Sequence, residues 1–188
     1  EGDVPSFAEL EHVLADGVAD AAVFPVVCGS ATLGIGVDRL LQYICEIGPA
    51  PKVEPAGPPA AFVFKTVADA YVGRISLFKV LSGTIKPDVH LANARTGGDE
   101  RLHSLFVLRG KDHVDVSEVV AGDIAAVAKL TGTLTGDVLG EAADVEPLTP
   151  PEPTLSIAAK ARTQADEDKL ATGLHRLQEE DPSLRVRH

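Results

Sequence analysis

Five prolines fall within residues 49–60, Pro49-Ala50-Pro51-Lys52-Val53-Glu54-Pro55-Ala56-Gly57-Pro58-Pro59-Ala60. Proline lacks a backbone donor and fixes φ, so this stretch excludes helix and favours an extended spacer. The chain therefore divides into a part before the spacer and a part after it. The hydrophobic period changes across it, from helical on one side to alternating on the other.

Residues 1–48 read as helix, strand, helix. Ser6 with Glu9 three residues later is a capping-box pattern, and Phe7, Leu10, Val13 and Leu14 place an apolar stripe on one helical face, with Gly17 as the expected stop. Ala21–Val27 is a short apolar run suited to a strand buried on both faces. A turn containing Gly29, Gly34 and Gly36 comes next, and Val37, Leu40, Leu41 and Ile44 recur at helical spacing up to Gly48-Pro49. Cys45 sits near this apolar face and reads as a core residue. Half an α/β unit cannot bury its own sheet, so the segment is expected to be the remnant of a larger domain.

Beyond the spacer, Ala61, Val63 and Lys65 alternate with Phe62 and Phe64, and Ile75 to Leu81 makes a second strand. Ser82-Gly83 and Lys86-Pro87 mark turns. Val89–Ala92 and Arg101–Leu108 flank Thr96-Gly97-Gly98-Asp99, a hairpin loop. Ile124–Leu130 and Val138-Leu139 complete six or seven short strands, which suggests a small closed barrel over residues 61–146. A second proline cluster (Pro147, Pro150, Pro151, Pro153) opens residues 147–188. There Leu155, Ile157 and Ala159 alternate as a strand, and Thr163 with Asp166 begins a helix carrying Leu170, Leu174 and Leu177. Leu184–Val186 begins another strand. Asp166-Glu167-Asp168 fits the first turn of that helix, where carboxylates oppose the dipole.

Composition narrows the function classes. There is no Met and the chain starts at Glu1, so the N-terminus is expected to have been cut, processed or left out. No basic flank precedes an apolar run of signal-peptide kind, and no run of about 18 apolar residues could span a membrane. Two cysteines, Cys28 and Cys45, make no disulfide framework, and a reduced cytosolic setting is the plain expectation. The six histidines are scattered without metal-ligand spacing. The net charge is −11, and residues 1–60 carry nine acidic and two basic side chains, whereas residues 61–140 carry nine of each. Acidity argues against nonspecific nucleic-acid binding, so any RNA contact must use local basic positions in the neutral middle stretch.

Several strings together resemble one family. Phe64-Lys65, Tyr71-Val72-Gly73-Arg74-Ile75 and Ser82-Gly83-Thr84-Ile85-Lys86 resemble the opening strands of the second domain of elongation factor G. Ala121-Gly122-Asp123-Ile124-Ala125-Ala126-Val127 and Thr135-Gly136-Asp137 resemble its later strands. Ala165-Asp166, Lys169-Leu170 and Glu179-Glu180-Asp181-Pro182-Ser183-Leu184-Arg185-Val186 resemble the start of its third domain. Cys28-Gly29-Ser30-Ala31, with Gly36-Val37 and Leu40-Leu41 behind it, is similar to the last nucleotide-binding motif and last helix of its GTPase domain. The departures are Ala70, where the family usually has Pro, and Asp88, which falls where Gly is common. Ala171-Thr172-Gly173-Leu174-His175-Arg176 is closer to the elongation factor G-like paralogues.

The resemblance implies a mainly β fold with α/β flanks: a translation-factor Greek-key β-barrel between the last part of a P-loop GTPase domain and the start of a ferredoxin-like α+β domain. It implies a ribosome-associated translational GTPase acting in polypeptide elongation, or a ribosome-protection or release-type GTPase of the same architecture. By resemblance, Ser30, Ala31 and Thr32 line the guanine pocket of the intact protein. The alternative is a strand-to-helix turn that needs small residues for packing alone. Arg74, Lys86, Arg95 and Arg101 are candidate phosphate contacts to small-subunit ribosomal RNA, or else ordinary solvated side chains. No Gly-x-x-x-x-Gly-Lys-Ser/Thr loop occurs, so GTP, GDP and Mg2+ are expected to bind only the intact protein. The implied partners are the ribosome and the protein's own upstream GTPase domain, with self-association of the severed α/β edge and a cytoplasmic location. The rival from another class is a noncatalytic barrel that binds RNA or protein.

Overall fold

The structure, a computed structural model, describes residues 4–69, 72–141, 145–146 and 149–187. Glu1, Ala70, Tyr71 and Pro147, named above, lie outside the described residues, as does His188. The chain forms two compact units, residues 1–51 and 52–188.

The first unit holds two helices, α1 (Phe7–Ala19) and α2 (Val37–Ile47). Ser6 caps α1 as its spacing predicts: the Glu9 amide donates to Ser6 Oγ at 3.3 Å and the Ser6 amide donates to Glu9 Oε2 at 2.7 Å. Gly17 does not stop the helix, which continues to Ala19. Instead its carbonyl accepts from the amides of Ala22 and Val23, and a Cβ on Gly17 would stand 2.8 Å from the Val23 side chain. Gly17 thus makes room for the chain to fold back. Ala21–Val27 is not a strand: it is irregular, and Val23, Phe24, Val26 and Val27 are exposed. A doubly buried strand exists only within a sheet, and no described strand runs beside this segment. Cys45 is likewise exposed rather than core; the buried residue of α2 is Ile47.

The second unit is built on a barrel. Its strands are β1 (Ala60–Asp69), β2 (Gly73–Ser82), β3 (Thr84–Ile85), β4 (Val89–Ala92), β5 (Asp99–Leu102), β6 (Leu105–Arg109), β7 (Asp112–Val116), β8 (Val119–Val120), β9 (Ile124–Ala128) and β10 (Val138–Gly140). Six of them form one antiparallel sheet in the order β10-β1-β2-β9-β6-β7, while β3 pairs with β8 and β4 with β5. A bridge between Asn93 and Leu139 ties the β4–β5 ribbon to the sheet edge. In β1 the alternation turns Ala61 and Val63 fully inward and leaves Phe62 and Phe64 half-buried on the other face. Phe78, Val80, Ile85, Leu102 and Leu139 complete the interior. With no Trp in the chain, Val, Ile, Leu and Phe side chains supply the core, each worth about 1.5–3 kcal/mol when fully buried.

The spacer's second half is packed onto this barrel. Glu54 bridges to Ser82, its carbonyl accepts from the Gly83 amide at 2.8 Å, and Ser82 Oγ donates to Pro58 O at 2.7 Å. After the barrel, residues 149–163 are irregular and lead into α3 (Gln164–Glu180). Neither Leu155–Ala159 nor Leu184–Val186 is a strand, and Leu155 and Ile157 are exposed. Each run has the right alternation, but a strand also requires a neighbouring ladder to take its backbone groups.

Candidate functional site

The loop joining β9 to β10, residues 129–137, is where the barrel's polar side chains converge. On β5 the alternation that turns Leu102 inward also turns Glu100 inward, opposite Leu91. Glu100 Oε1 accepts from the Gly132 amide at 2.6 Å and from Thr133 Oγ1 at 2.9 Å; Oε2 accepts from the Thr131 amide at 3.1 Å and its hydroxyl at 3.3 Å. Burial alone would push the Glu100 carboxyl up, but these four donors outweigh it and hold the group below its ordinary value.

Asp137 closes the other end of the loop. Its Oδ2 accepts from Asn93 Nδ2, the Leu134 amide and Arg95 Nη2, each at 2.8 Å, and Oδ1 accepts from Arg95 Nε at 2.6 Å. Burial opposes ionisation here too, and the Arg95 fork, Asn93 and the Leu134 amide overcome it, so this carboxyl is also lowered. Arg95 in turn is raised by its bonds to Asp137, and its Nη2 reaches Gly132 O at 2.7 Å. Buried carboxylates with full sets of donors are stiff, oriented groups, and this pair fixes the loop's path.

The four candidate phosphate contacts divide by what they hold. Arg95 is committed to Asp137 and the loop. Arg74, at the start of β2, donates to Leu130 O, to Thr131 O at 3.0 Å and to Glu179 Oε1 at 3.0 Å. Arg101 is exposed and pairs with Asp88 at 3.0 Å, while Lys86 is exposed with Glu118 at 3.6 Å. Lys86 and Arg101 lie on either side of the Asp88 turn, where Asp88 takes φ 65°, the left-handed conformation its Gly-like position requires. His103 also approaches Asp88, at 3.4 Å. Asn93, Glu100 and Asp137 were not singled out from the sequence as site residues. The available signal was the inward phase of Glu100 on β5, a charge on the face that otherwise carries Leu102.

In the first unit, Ser30, Ala31 and Thr32 form a tight turn ahead of α2. The Ser30 amide donates to Ile35 O at 2.9 Å and the Ile35 amide donates back to Ser30 O at 3.1 Å. Ser30 Oγ lies 3.3 Å from Thr32 Oγ1. Gly29 and Gly36 allow the two arms to touch: a Cβ on Gly29 would stand 2.5 Å from Ile35 O, and one on Gly36 would stand 2.6 Å from Cys28 O. The glycines therefore serve the loop's own closure, while Ala31 and Thr32 stand exposed at its tip. Among the described residues no group of three His, Cys, Asp or Glu side chains gathers to hold a metal. No helix among them is long and apolar enough to cross a membrane.

Comparison with known proteins bears on the whole chain. Residues 58–142 match the family described as elongation factor G domain 2, and residues 150–188 match elongation factor G domain III. A crystal structure of a protein from Thermus thermophilus is similar at 32% identity over 99% of this chain, with a TM-score of 0.80. The chain spans 29% of that protein's length. Two successive domain matches in order, on a barrel followed by the helix α3, establish a component of a translation factor: the chain belongs to the elongation factor G family.

Proposed function

We propose that the chain is part of a ribosome-associated translational GTPase that acts in polypeptide elongation, by GTP-driven translocation or a related remodelling of the ribosome. The observation that carries this reading is the run of domain 2 into domain III along one chain. Residues 1–48 are then the end of the GTPase domain, and the protein works in the cytoplasm. GTP hydrolysis belongs to the parent protein, with the phosphates and Mg2+ held by residues outside this chain.

The Ser30–Thr32 turn fits one edge of a guanine. Because the Ser30 amide is spent on Ile35, the base would be met by the exposed tip at Ala31 and Thr32 and by the Ser30 hydroxyl. The barrel serves ribosome docking, and its contact to small-subunit ribosomal RNA falls to Lys86 and Arg101, the candidates whose ion-pair partners, Glu118 and Asp88, are themselves exposed. Arg74 and Arg95 are committed instead to the loop of residues 129–137, through the Leu130 and Thr131 carbonyls and Asp137.

Calorimetry with GTP and GDP tests the reading, comparing these 188 residues with a longer protein extended upstream. Silence from the shorter chain and tight binding by the longer one is the expected result. If neither binds, the chain is a noncatalytic barrel module and the GTPase reading is overturned.

A further inference from the structure

We propose that Arg74, Glu179 and Glu180 form a releasable electrostatic latch that fastens helix α3 of the domain III segment to the barrel. The last two residues of α3 meet two positions that face each other across the β1–β2 ladder, Ala68 and Arg74. Glu179 Oε1 accepts from Arg74 Nη1 at 3.0 Å, and Glu180 accepts from the Ala68 amide. The Arg74 and Glu179 side chains are only 18% and 22% exposed, so the pair is largely withdrawn from water. The helix, by contrast, has no buried residue along its length, and Leu177 is 50% exposed. Leu170 and Leu174 are half-buried, so its apolar contact is partial, and the charges at its end are its polar fastening to the barrel.

The same guanidinium spans both domains. One arm of Arg74 holds the Leu130 and Thr131 carbonyls of the barrel loop while the other holds Glu179. Releasing Glu179 leaves Arg74 anchored in the barrel and its carboxylate partner free to take water, so α3 can swing without unfolding what it leaves. His175 Nδ1, 3.8 Å from the same Glu179 oxygen, offers the freed carboxylate a second partner on its own helix. An apolar contact would strengthen with salt, whereas this one weakens as charges are screened, though less than a fully exposed pair would. The inference rests on the domain assignment and not on GTP hydrolysis or ribosome binding.

The test uses the full chain with Cys28→Ser and Cys45→Ser, spin-labelled at Lys111→Cys on the β6–β7 turn and Lys169→Cys on α3. Distances are measured between the two labels at about 0.1 M and about 1 M salt. Exchange of the Ala68 amide is followed in parallel by NMR. The expected result is one narrow distance at low salt that broadens at high salt and in Glu179→Gln/Glu180→Gln. Ala68 exchange should rise roughly fivefold in that variant, with the barrel's other amides unmoved. Arg74→Gln should broaden the distances too. Should it unfold the barrel by freeing the loop, the double acid variant decides, because its side chains lie outside the barrel. Distances and Ala68 exchange that are the same in the double variant as in the parent would overturn the proposal.

Discussion

Glu100 shows how a single inward carboxylate can organise a loop. Four donors converge on it, and replacing it with glutamine leaves only one oxygen and sets an amide NH2 against backbone N–H groups. The expected cost is about 1–3 kcal/mol, from donors left buried without a partner, measurable as a lower urea midpoint for Glu100→Gln. The carboxyls of Glu100 and Asp137 are both lowered from ordinary values of 4.5 and 3.8. Depressed carboxyls stabilise fully above those ordinary values, and that stability is lost as pH falls through the lower folded ones. Unfolding followed between neutral pH and the acid side of 3.8 should therefore show a steep loss for the parent chain. The slope should be shallower for Glu100→Gln, which has already given up one of the two contributions.

At the scale of elements, the spacer and the barrel are joined through glycine. Gly83 has φ +69°, and a Cβ there would stand 2.6 Å from Gly57 O and 2.8 Å from Pro59 Cα. Gly97 has nearly the same φ, +67°, with nothing within 4 Å of its Cβ position. Gly97→Ala should cost only the backbone term, about 1 kcal/mol. Gly83→Ala should cost more, because the spacer must also move off the barrel. Equal urea midpoints for the two variants would mean the spacer is not held there. The elements that proved readable were those set by local signals: the Ser6 cap, the helix α2 and the turn at Asp88. Ala21–Val27 and Leu155–Ala159 carried strand patterns that the structure leaves unpaired. Alternation reports a preference for one face and not the presence of a neighbour.

On the scale of the whole molecule, the first unit leaves Phe7, Leu10, Phe24, Leu40, Leu41 and Ile44 exposed. Apolar surface collected on so small a unit favours association. The mass from light scattering should rise with concentration, and Leu10→Glu/Leu41→Glu should return it to that of a monomer. A concentration-independent monomer in the parent chain would refute this. Thermal unfolding is expected in two steps, since each unit is compact by itself.

The sequence by itself determined the barrel and the family, because those depend on alternation and ordered turn strings. It also marked Ser30–Thr32 and four basic residues as worth attention. Only the tertiary structure decided that Arg95 serves Asp137, that Arg74 joins a loop to α3, and that Lys86 and Arg101 stay exposed at one turn. A guanidinium's role is set by which acceptors lie within its reach, and those acceptors, at Leu130, Asp137 and Glu179, stand far along the chain. Distance in space, which no local pattern encodes, decides which cation holds the fold and which pairs only at the surface.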